Sequence, residues 1–497
     1  MKKITVAILG FVSIALTSLT GCNKNTKNYD FTSVGVANFQ KAGDDPISIR
    51  DVKESEGWVP APSIGKTKYL VIPVDFEVNE NNPRDNYSCA ALPNGCEGSK
   101  AEIEAAFFGD SEDTGWESVK SFYYKSSYGA LDFEGVVTDW YTVPFTASEA
   151  ASMGSNYTTQ VARDALKWYK SDEVRQSMGD KYIEPTDLDT DKDGYIDAIA
   201  LIYTAPEKTY NSDFFWAYTT MNFGEIANLE SPTVYQMFWG SYYFIKSDTT
   251  YEKPDSHTYI HETGHVLGLN DYYNTSYTIE APAGKVDMMD NNVGDHCAYS
   301  KYSLGWIKPY VVDQEGSFTI KPFQENGDCL LVSANFNGSA FDEYLLIEFH
   351  TPTGLNQKDS ESNYAGYYPR VMTANGIKIY HIDSRLAVVD RRGNGFIRYT
   401  DEFVDNAEEK TVIAHSNTPN ETISDGNYQV HLLEGTGRND FIEKGLAADN
   451  STLFKVGQQF GVNVFKNFKF NDGSELPFVF EITSITDEEA VITFVKK

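Results

Sequence analysis

Residues 261–271 read HETGHVLGLND and follow the pattern HExxHxxGxxD. On a helix, His261 and His265 lie about one turn apart on the same face, where two imidazoles can share one zinc ion. Glu262 points elsewhere and stays free to act as a base on the attacking water. Gly268 can turn the chain sharply after the helix, so that Asp271 returns to the metal as a third ligand.

A methionine pair follows this motif. The spacing of Gly268 and Asp271 resembles that of metzincins, in which a glycine ends the helix and a third ligand follows, although Asp271 replaces the commoner histidine. Metzincins also place a methionine in a tight turn beneath the zinc ligands. The segment GKVDMMD, residues 284–290, supplies Met289 as the candidate and Met288 as the next choice. The alternative is an ordinary pair of core methionines.

An acidic segment upstream of this motif spans residues 189–197 and reads DTDKDGYID. Carboxylates at alternate positions of a tight loop repel one another unless a cation lies between them, and calcium prefers oxygen ligands. An EF-hand needs glutamate at the twelfth position, where this chain has Ala200, so we expect a shorter calcium loop. A solvated acidic turn is the alternative. The candidate calcium ligands are Asp189, Asp191, Asp193 and Asp197.

The N-terminus has the features of an export signal. Two lysines precede the mostly apolar residues 4–16, and Leu19-Thr20-Gly21-Cys22 follows. These last four residues resemble a bacterial lipobox, which predicts that Cys22 becomes the lipidated first residue; an ordinary signal peptide is the alternative. We therefore expect a protein of the bacterial cell envelope that is lipid-anchored and faces outward, or a secreted protein if the lipobox is not used.

The 497 residues, 41% of them hydrophobic, suffice for two or three domains. We interpret residues 1–21 as a lipoprotein signal peptide and residues 22–62 as a polar tether or a pro-segment. Residues 63–310 mix helical and strand patterns and predict an α+β catalytic domain of zincin or metzincin type. Short apolar runs separated by turns in residues 311–497 predict an all-β, sandwich-like domain.

The number of cysteines and the net charge bear on the disulfides and the binding partners of the protein. Four cysteines follow the predicted signal, and an even number in an exported chain suggests two disulfides. The short loop favours a bond between Cys89 and Cys96, and a bond between Cys297 and Cys329 follows by elimination. The net charge of −31 argues against nucleic acid and anionic membrane surfaces as partners. Membrane contact is thus expected only through the lipid anchor.

Three segments together look like the immune inhibitor A family of bacterial secreted zinc metallopeptidases. They are HETGHVLGLNDYY, GKVDMMDNN and the stretch from Ala298 to Trp306. The resemblance extends upstream through the Asp189 loop to residues 118–140 and downstream to weaker β segments, so it covers most of residues 65–497. It implies an endopeptidase that acts on proteins or peptides and binds calcium.

We therefore expect a cell-envelope-anchored zinc metalloendopeptidase with one catalytic zinc and Glu262 as the general base. The aromatic-rich segment 214–245 should line the cleft and bind substrate in an extended conformation. His296 and Tyr299 can also line the cleft, where either can stabilise the oxyanion. Two alternatives stay open: a surface binding or adhesion lipoprotein with a non-catalytic zincin shell, and a specialised hydrolase of glycoproteins or wall peptides. The presence of Glu262 argues against the first.

Overall fold

The computed structural model describes residues 29–221, 223–246, 252–276, 278–364, 368–390, 398–399, 409–419 and 426–497. The predicted signal peptide and Cys22 lie outside these residues. Within the described part of the chain, no helix combines the length and the apolar character needed to cross a bilayer.

The elements fall into two groups along the chain. Up to residue 309, the helices are α1 (Ile49–Glu56), α2 (Gly95–Phe108), α3 (Val119–Ser126), α4 (Ala147–Met153), α5 (Thr158–Tyr169), α6 (Asp172–Met178), α7 (His257–Val266) and α8 (Ala298–Ser303). The strands of this part are β1 (Gln40–Lys41), β2 (Gly65–Phe76), β3 (Leu131–Val137), β4 (Tyr141–Val143), β5 (Ala198–Tyr203), β6 (Tyr218–Met221) and β7 (Gln236–Ser241).

From residue 310 onward, strands dominate. They are β8 (Tyr310–Val311), β9 (Gly316–Ile320), β10 (Cys329–Val332), β11 (Glu343–His350), β12 (Gly376–Asp383), β13 (Leu386–Asp390), β14 (Arg398–Tyr399), β15 (Glu409–Ile413), β16 (Val430–Leu433), β17 (Gln459–Phe460), β18 (Phe478–Ile485) and β19 (Ala490–Lys496). The helices are α9 (Phe323–Asn326), α10 (Gln357–Glu361) and α11 (Asp440–Lys444).

The first part is a mixed α/β unit around one sheet. Its strand order is β3-β2-β5-β7-β6, with β4 also paired to β2. Strands β2, β3, β5 and β7 run parallel, whereas β6 runs antiparallel to β7 at the edge. Strand β5 is apolar and buried on both faces, because Ala200 packs in the core that contains α7 and Leu201 packs in the core that contains α5. The sheet is thus covered by helices on both sides.

The second part is β-rich and consists of stacked sheets, in partial agreement with the all-β prediction. A six-stranded sheet has the order β1-β8-β10-β11-β12-β16, and a four-stranded sheet has the order β17-β18-β19-β9. Side chains such as Leu345 and Ile379 of the first sheet and Phe480 and Ile492 of the second share one apolar core. The short helices α9, α10 and α11 lie between the strands, so this part is not purely β.

The predicted boundary at residues 310 and 311 falls inside strand β8, which pairs with β1 from the N-terminal segment. One hydrophobic core contains Met288 and Met289 together with Tyr344 and Tyr380 from the β-rich part. The two predicted domains are therefore joined by a continuous core. Their division stays a prediction.

The segment before residue 62 folds onto the rest of the chain. Ser48 caps α1 and exchanges hydrogen bonds with Asp51, while Ile49 and Val52 are buried. Farther along, the backbone N–H of Ala61 donates to the Val266 carbonyl at the end of α7 over 2.9 Å. From residue 40 on, the segment therefore behaves as a folded element and not as a free tether. The pro-segment interpretation stays a prediction.

The cysteine pairing is confirmed for one bond and wrong for the other. Cys89 and Cys96 form a disulfide, whereas Cys297 and Cys329 are free and buried. Elimination failed because it assumes that every cysteine of an exported chain pairs. A buried thiol can instead pack as a small apolar side chain, as both do in the main core.

Candidate metal centre

Helix α7 carries the first two candidate ligands. It begins after Ser256, and the Asp255 carboxylate accepts a hydrogen bond from the His257 N–H over 3.0 Å. Its inner face buries Tyr259 and Ile260 against the sheet. Burial of this face fixes the rotation of the helix, so His261 and His265 project together on the other side.

A close approach beneath the helix explains why residue 264 is glycine. A Cβ atom on Gly264 would lie 2.3 Å from the Met289 sulfur. The Met288 carbonyl, one residue earlier, lies 2.8 Å from His261 Nδ1. The methionine segment therefore lies directly below the two histidines, which is where the metzincin-like turn would place it.

The chain reverses at Gly268, as the sequence predicts. Its φ of +98° lies in the left-handed region that favours glycine. The Leu269 N–H then donates to the Gly264 carbonyl over 3.0 Å and closes the end of the helix. This turn brings Asp271 back to the histidines, with Asp271 Oδ1 3.1 Å from His261 Nε2 and 3.2 Å from His265 Nε2.

These three side chains fit a metal ion. One donor atom from each of His261, His265 and Asp271 lies within 4.8 Å of the other two. Each Nδ1 is engaged by a backbone carbonyl, that of Met288 for His261 and that of Leu269 for His265, both at 2.8 Å. The carbonyls orient the rings so that both Nε2 atoms face the Asp271 carboxylate. Such outer contacts are typical of metal-binding histidines.

Charge couples the three groups. Burial lowers the pKa of His265, but the charge and hydrogen bond of Asp271 outweigh burial and raise it to about 9. The pKa of His261 is raised against burial by the same carboxylate. Burial raises the pKa of Asp271, yet the two imidazoles outweigh it and lower that pKa far below the ordinary range. The metal-free site therefore binds a proton where a cation would otherwise lie.

Glu262 lies beside this centre and is buried, with 6% of its surface exposed. Burial raises its pKa above the ordinary glutamate value, although the two histidines act in the opposite direction. The hydroxyl of Thr219, on edge strand β6, lies 3.2 Å from Glu262 Oε2 and 3.0 Å from the Glu262 carbonyl oxygen. The candidate base is thus in contact with the sheet edge.

Two residues near the centre were not singled out from the sequence. The Tyr273 ring stacks on His261 with centroids 6.2 Å apart, and burial together with the charge of Asp271 raises the pKa of its hydroxyl. Its position two residues after Asp271 was the available signal. Thr219 gave no signal of its own, because its contact with Glu262 depends on strand pairing.

Other expectations for the cleft do not agree with the structure. His296 and Tyr299 are each 1% exposed and lie in the core, where His296 packs against Trp306 and Tyr299 hydrogen-bonds Gln429. Most aromatic side chains of segment 214–245 are also buried. Phe214, Phe215, Phe238, Trp239 and Tyr242 have no exposed surface. They stabilise the sheet from inside and have no surface left with which to line a cleft.

The acidic loop gathers three of its four candidate ligands. Oxygen atoms of Asp189, Asp191 and Asp197 lie within 4.8 Å of one another. Asp193 is not in this group, and its Oδ2 pairs with Arg50 Nη2 of helix α1 over 2.6 Å. Arg50 Nη1 also pairs with Asp191. A guanidinium from the N-terminal segment thus neutralises part of the loop, which the sequence did not indicate.

Burial raises the pKa of Asp197 to about 7, and a nearby cation would favour the charged form of this carboxyl. It accepts hydrogen bonds from the Thr190 backbone and hydroxyl over 2.8 and 2.6 Å. Gly194 has a φ of +90°, and a Cβ atom there would lie 2.6 Å from the Asn228 nitrogen. Only glycine fits this turn, as the sequence pattern requires.

Comparison with known proteins agrees with this geometry. The profile described as immune inhibitor A peptidase M6, catalytic domain, matches residues 66–292. Immune inhibitor A from Bacillus thuringiensis subsp. alesti is 26% identical over 246 residues, which cover 43% of this chain and 34% of that protein. The chain therefore spans about a third of the length of this curated relative. The matched region includes both histidines, Glu262 and Asp271, so residues 66–292 of this chain are similar to the catalytic domain of the immune inhibitor A family of M6 peptidases.

Proposed function

We propose that this protein is a zinc-dependent metalloendopeptidase that hydrolyses peptide bonds of extracellular proteins. The convergence of His261, His265 and Asp271 beside the buried Glu262 carries the proposal. Similarity to a metallopeptidase family supports it. Two imidazole nitrogens and one carboxylate oxygen form the donor set of catalytic zinc sites that keep a fourth position open.

His261, His265 and Asp271 would hold the zinc ion, which would act there as a Lewis acid toward the attacking water and the scissile carbonyl. Glu262 then acts as the general base: one carboxylate oxygen accepts the proton of that water and later delivers it to the leaving amine nitrogen. Burial raises the pKa of Glu262 above the ordinary glutamate value, and a carboxylate with a raised pKa is a stronger base. Met289, packed against Gly264, supports the ligand helix from below in the manner of a Met-turn.

The substrate is expected to bind along β6. Among the described strands, β6 pairs only with β7, so its other edge can accept an extended peptide as an added strand. This edge lies next to α7, because Thr219 contacts Glu262. An antiparallel edge strand above a ligand helix supports a zincin-like fold for residues 63–310.

A structural calcium ion at the Asp189 loop is the second metal that we propose. The clustered oxygens of Asp189, Asp191 and Asp197 support it, and calcium takes such ligands. Arg50 limits the number of free carboxylates by pairing with Asp191 and Asp193. Calcium and Arg50 therefore compete for Asp191, and Asp193 becomes a ligand only if Arg50 moves.

We further propose that Cys22 anchors the protein to the bacterial envelope through lipid. The support is the sequence pattern alone, since this residue lies outside the described part of the chain. Lipid attachment at residue 22 would leave the folded segment, which pairs with the rest of the chain from Gly35 on, within about 13 residues of the membrane.

Zinc binding should weaken as the pH falls. A proton occupies the metal-free site at neutral pH because the pKa of His265 is raised to about 9, and zinc must displace it. We expect the apparent Kd for zinc to rise about tenfold per pH unit for each displaced proton between about pH 8 and about pH 6. Isothermal titration in buffers of different ionisation enthalpy measures the affinity and the number of protons released.

Asp271→Asn tests the third ligand in the same experiment. It should lose zinc and retain its helical circular dichroism, because the charge and the coordinating oxygen are removed but the Gly268 turn remains. Asp313→Asn, an exposed substitution far from the centre, is the matched control. A zinc content in Asp271→Asn equal to that of the control would place the third ligand elsewhere.

Glu262→Ala and Glu262→Gln should keep zinc and lose casein cleavage by a factor of at least about 100, since general-base catalysis contributes that much. Glu173→Ala, an exposed glutamate of α6, is the control. Retained activity in both Glu262 variants would contradict the mechanism. A zinc-loaded wild type that cleaves no protein would contradict the peptidase function and favour the adhesion alternative.

Calcium should raise the thermal midpoint of the wild type in a concentration-dependent way, because a ligand that binds only the folded state stabilises it. Asp189→Asn should abolish this shift, and Arg50→Gln should enlarge it by freeing Asp191 and Asp193. Arg175→Gln, which removes an exposed ion pair with Glu184, controls for the loss of an arginine. An Arg50→Gln variant no more sensitive to calcium than Arg175→Gln would rule out the competition.

The mass of the mature N-terminus tests anchoring. Protein extracted from membranes should begin at Cys22 and carry a diacylglyceryl group on its sulfur. Cys22→Ser should shift the protein from the membrane fraction to the medium. An unmodified N-terminus elsewhere would exclude the lipid anchor, and one after residue 62 would support the pro-segment.

A further inference from the structure

The hydroxyl of Thr219 donates a hydrogen bond to the Glu262 carboxylate. Its distances to Glu262 Oε2 and to the Glu262 carbonyl oxygen are 3.2 and 3.0 Å. A hydroxyl carries one hydrogen, so Thr219 donates to one of these oxygens at a time. Thr219 thus reaches both the side chain and the backbone of the candidate base from a different element of the fold.

The position of Thr219 in the sheet gives this contact a second meaning. Thr219 is opposite Phe238 in the register of β6 and β7, and β6 is the edge strand to which an extended substrate would add. Side chains alternate along a strand. The neighbouring Tyr218 hydroxyl lies 2.8 Å from that of Thr158 on α5, so Tyr218 faces the other side of the sheet. Thr219 therefore projects toward α7 from the strand that would bind the peptide backbone.

We propose that Thr219 is the positioning residue of the peptidase: it fixes the Glu262 carboxylate relative to a peptide bound along β6. The inference rests on the proposed function. A glutamate side chain has three rotatable bonds, and a carboxylate that can leave its productive orientation transfers protons less often. One hydrogen bond from the substrate-binding strand ties the base to the same element that places the scissile bond.

Conservative variants test the role. Thr219→Val keeps the shape and branching of the side chain but has no hydroxyl, and Thr219→Ser keeps the hydroxyl. We expect Thr219→Val to lower kcat on the order of tenfold, the effect of one hydrogen bond to a charged group, with KM, zinc content and thermal midpoint close to the wild type. Thr219→Ser should restore most of the rate. Thr319→Val, an exposed threonine of strand β9 outside the candidate site, is the matched control and should resemble the wild type.

A double-mutant comparison shows whether the effect passes through Glu262. Glu262→Asp shortens the side chain so that its carboxylate no longer reaches Thr219. Thr219→Val should then cost almost nothing further in this background, although it slows the wild type. An equal loss in both backgrounds would overturn the proposal, because Thr219 would then act independently of the base.

The remaining outcomes are also decisive. If Thr219→Val fails to fold, Thr219→Ala removes the same hydroxyl with less steric demand and takes its place. A wild-type kcat in the valine or alanine variant, or a Thr219→Ser variant as slow as Thr219→Val, would overturn the positioning role. A loss that appears in KM or zinc content instead of kcat would overturn it in favour of a structural role. These results concern Thr219 alone, whereas a wild type without zinc-dependent cleavage would contradict the proposed function itself.

Discussion

The Asp271 carboxylate lies between two imidazoles, and the surrounding fold serves to keep it there. A half-buried carboxylate such as that of Asp271 is stabilised by a positive charge beside it. Here, the partners are His261 and His265, whose Nε2 atoms lie 3.1 and 3.2 Å away. This arrangement needs three local conditions at once: a helix that stacks the histidines, a left-handed turn at Gly268, and a glycine at 264 that admits Met289 from below.

The N-terminal segment contributes to this constraint. A Cβ atom on Gly268 would contact Pro60, Lys53 and Ile49 within 3.5 Å. The Lys53 ammonium also hydrogen-bonds the Asn270 side chain over 2.9 Å, one residue before the third ligand. The same helix reaches the acidic loop through Arg50. Helix α1 thus connects the two candidate metal sites, and any event that displaces it would affect both.

The sequence predicted those features that short spacing determines. The separation of His261 from His265, the glycine at 268 and the all-apolar strand β5 each specify geometry within a few residues. Features that depend on distant contacts were missed. The pairing of Arg50 with Asp193 spans 143 residues, and the contact of Thr219 with Glu262 spans 43. The free thiols of Cys297 and Cys329 were also missed, because tertiary packing, and not the even number of cysteines in the chain, decides whether they pair.

Buried charges connect the β-rich part to the segment that carries the methionine pair. The Glu348 carboxylate on β11 accepts a hydrogen bond from the Ala298 N–H at the start of α8, and it pairs with Lys378 of β12 over 2.8 Å. Lys301 of α8 pairs with Asp295 over 2.6 Å, in the loop between the methionine segment and α8. Breaking such a buried pair costs about 3–5 kcal/mol, because one charge is left without a partner.

Glu348 and Lys378 lie beyond residue 292, where the family match ends. The candidate metal ligands therefore lie within the matched region, whereas some of the residues that stabilise this region lie outside it. The floor below His261 is formed by residues 288 and 289, and the chain that continues from this floor is held through α8 by a charge on β11. The β-rich part therefore stabilises the segment beneath the candidate metal centre. A chain that ended near residue 310 would lack Glu348, the acceptor of the Ala298 N–H.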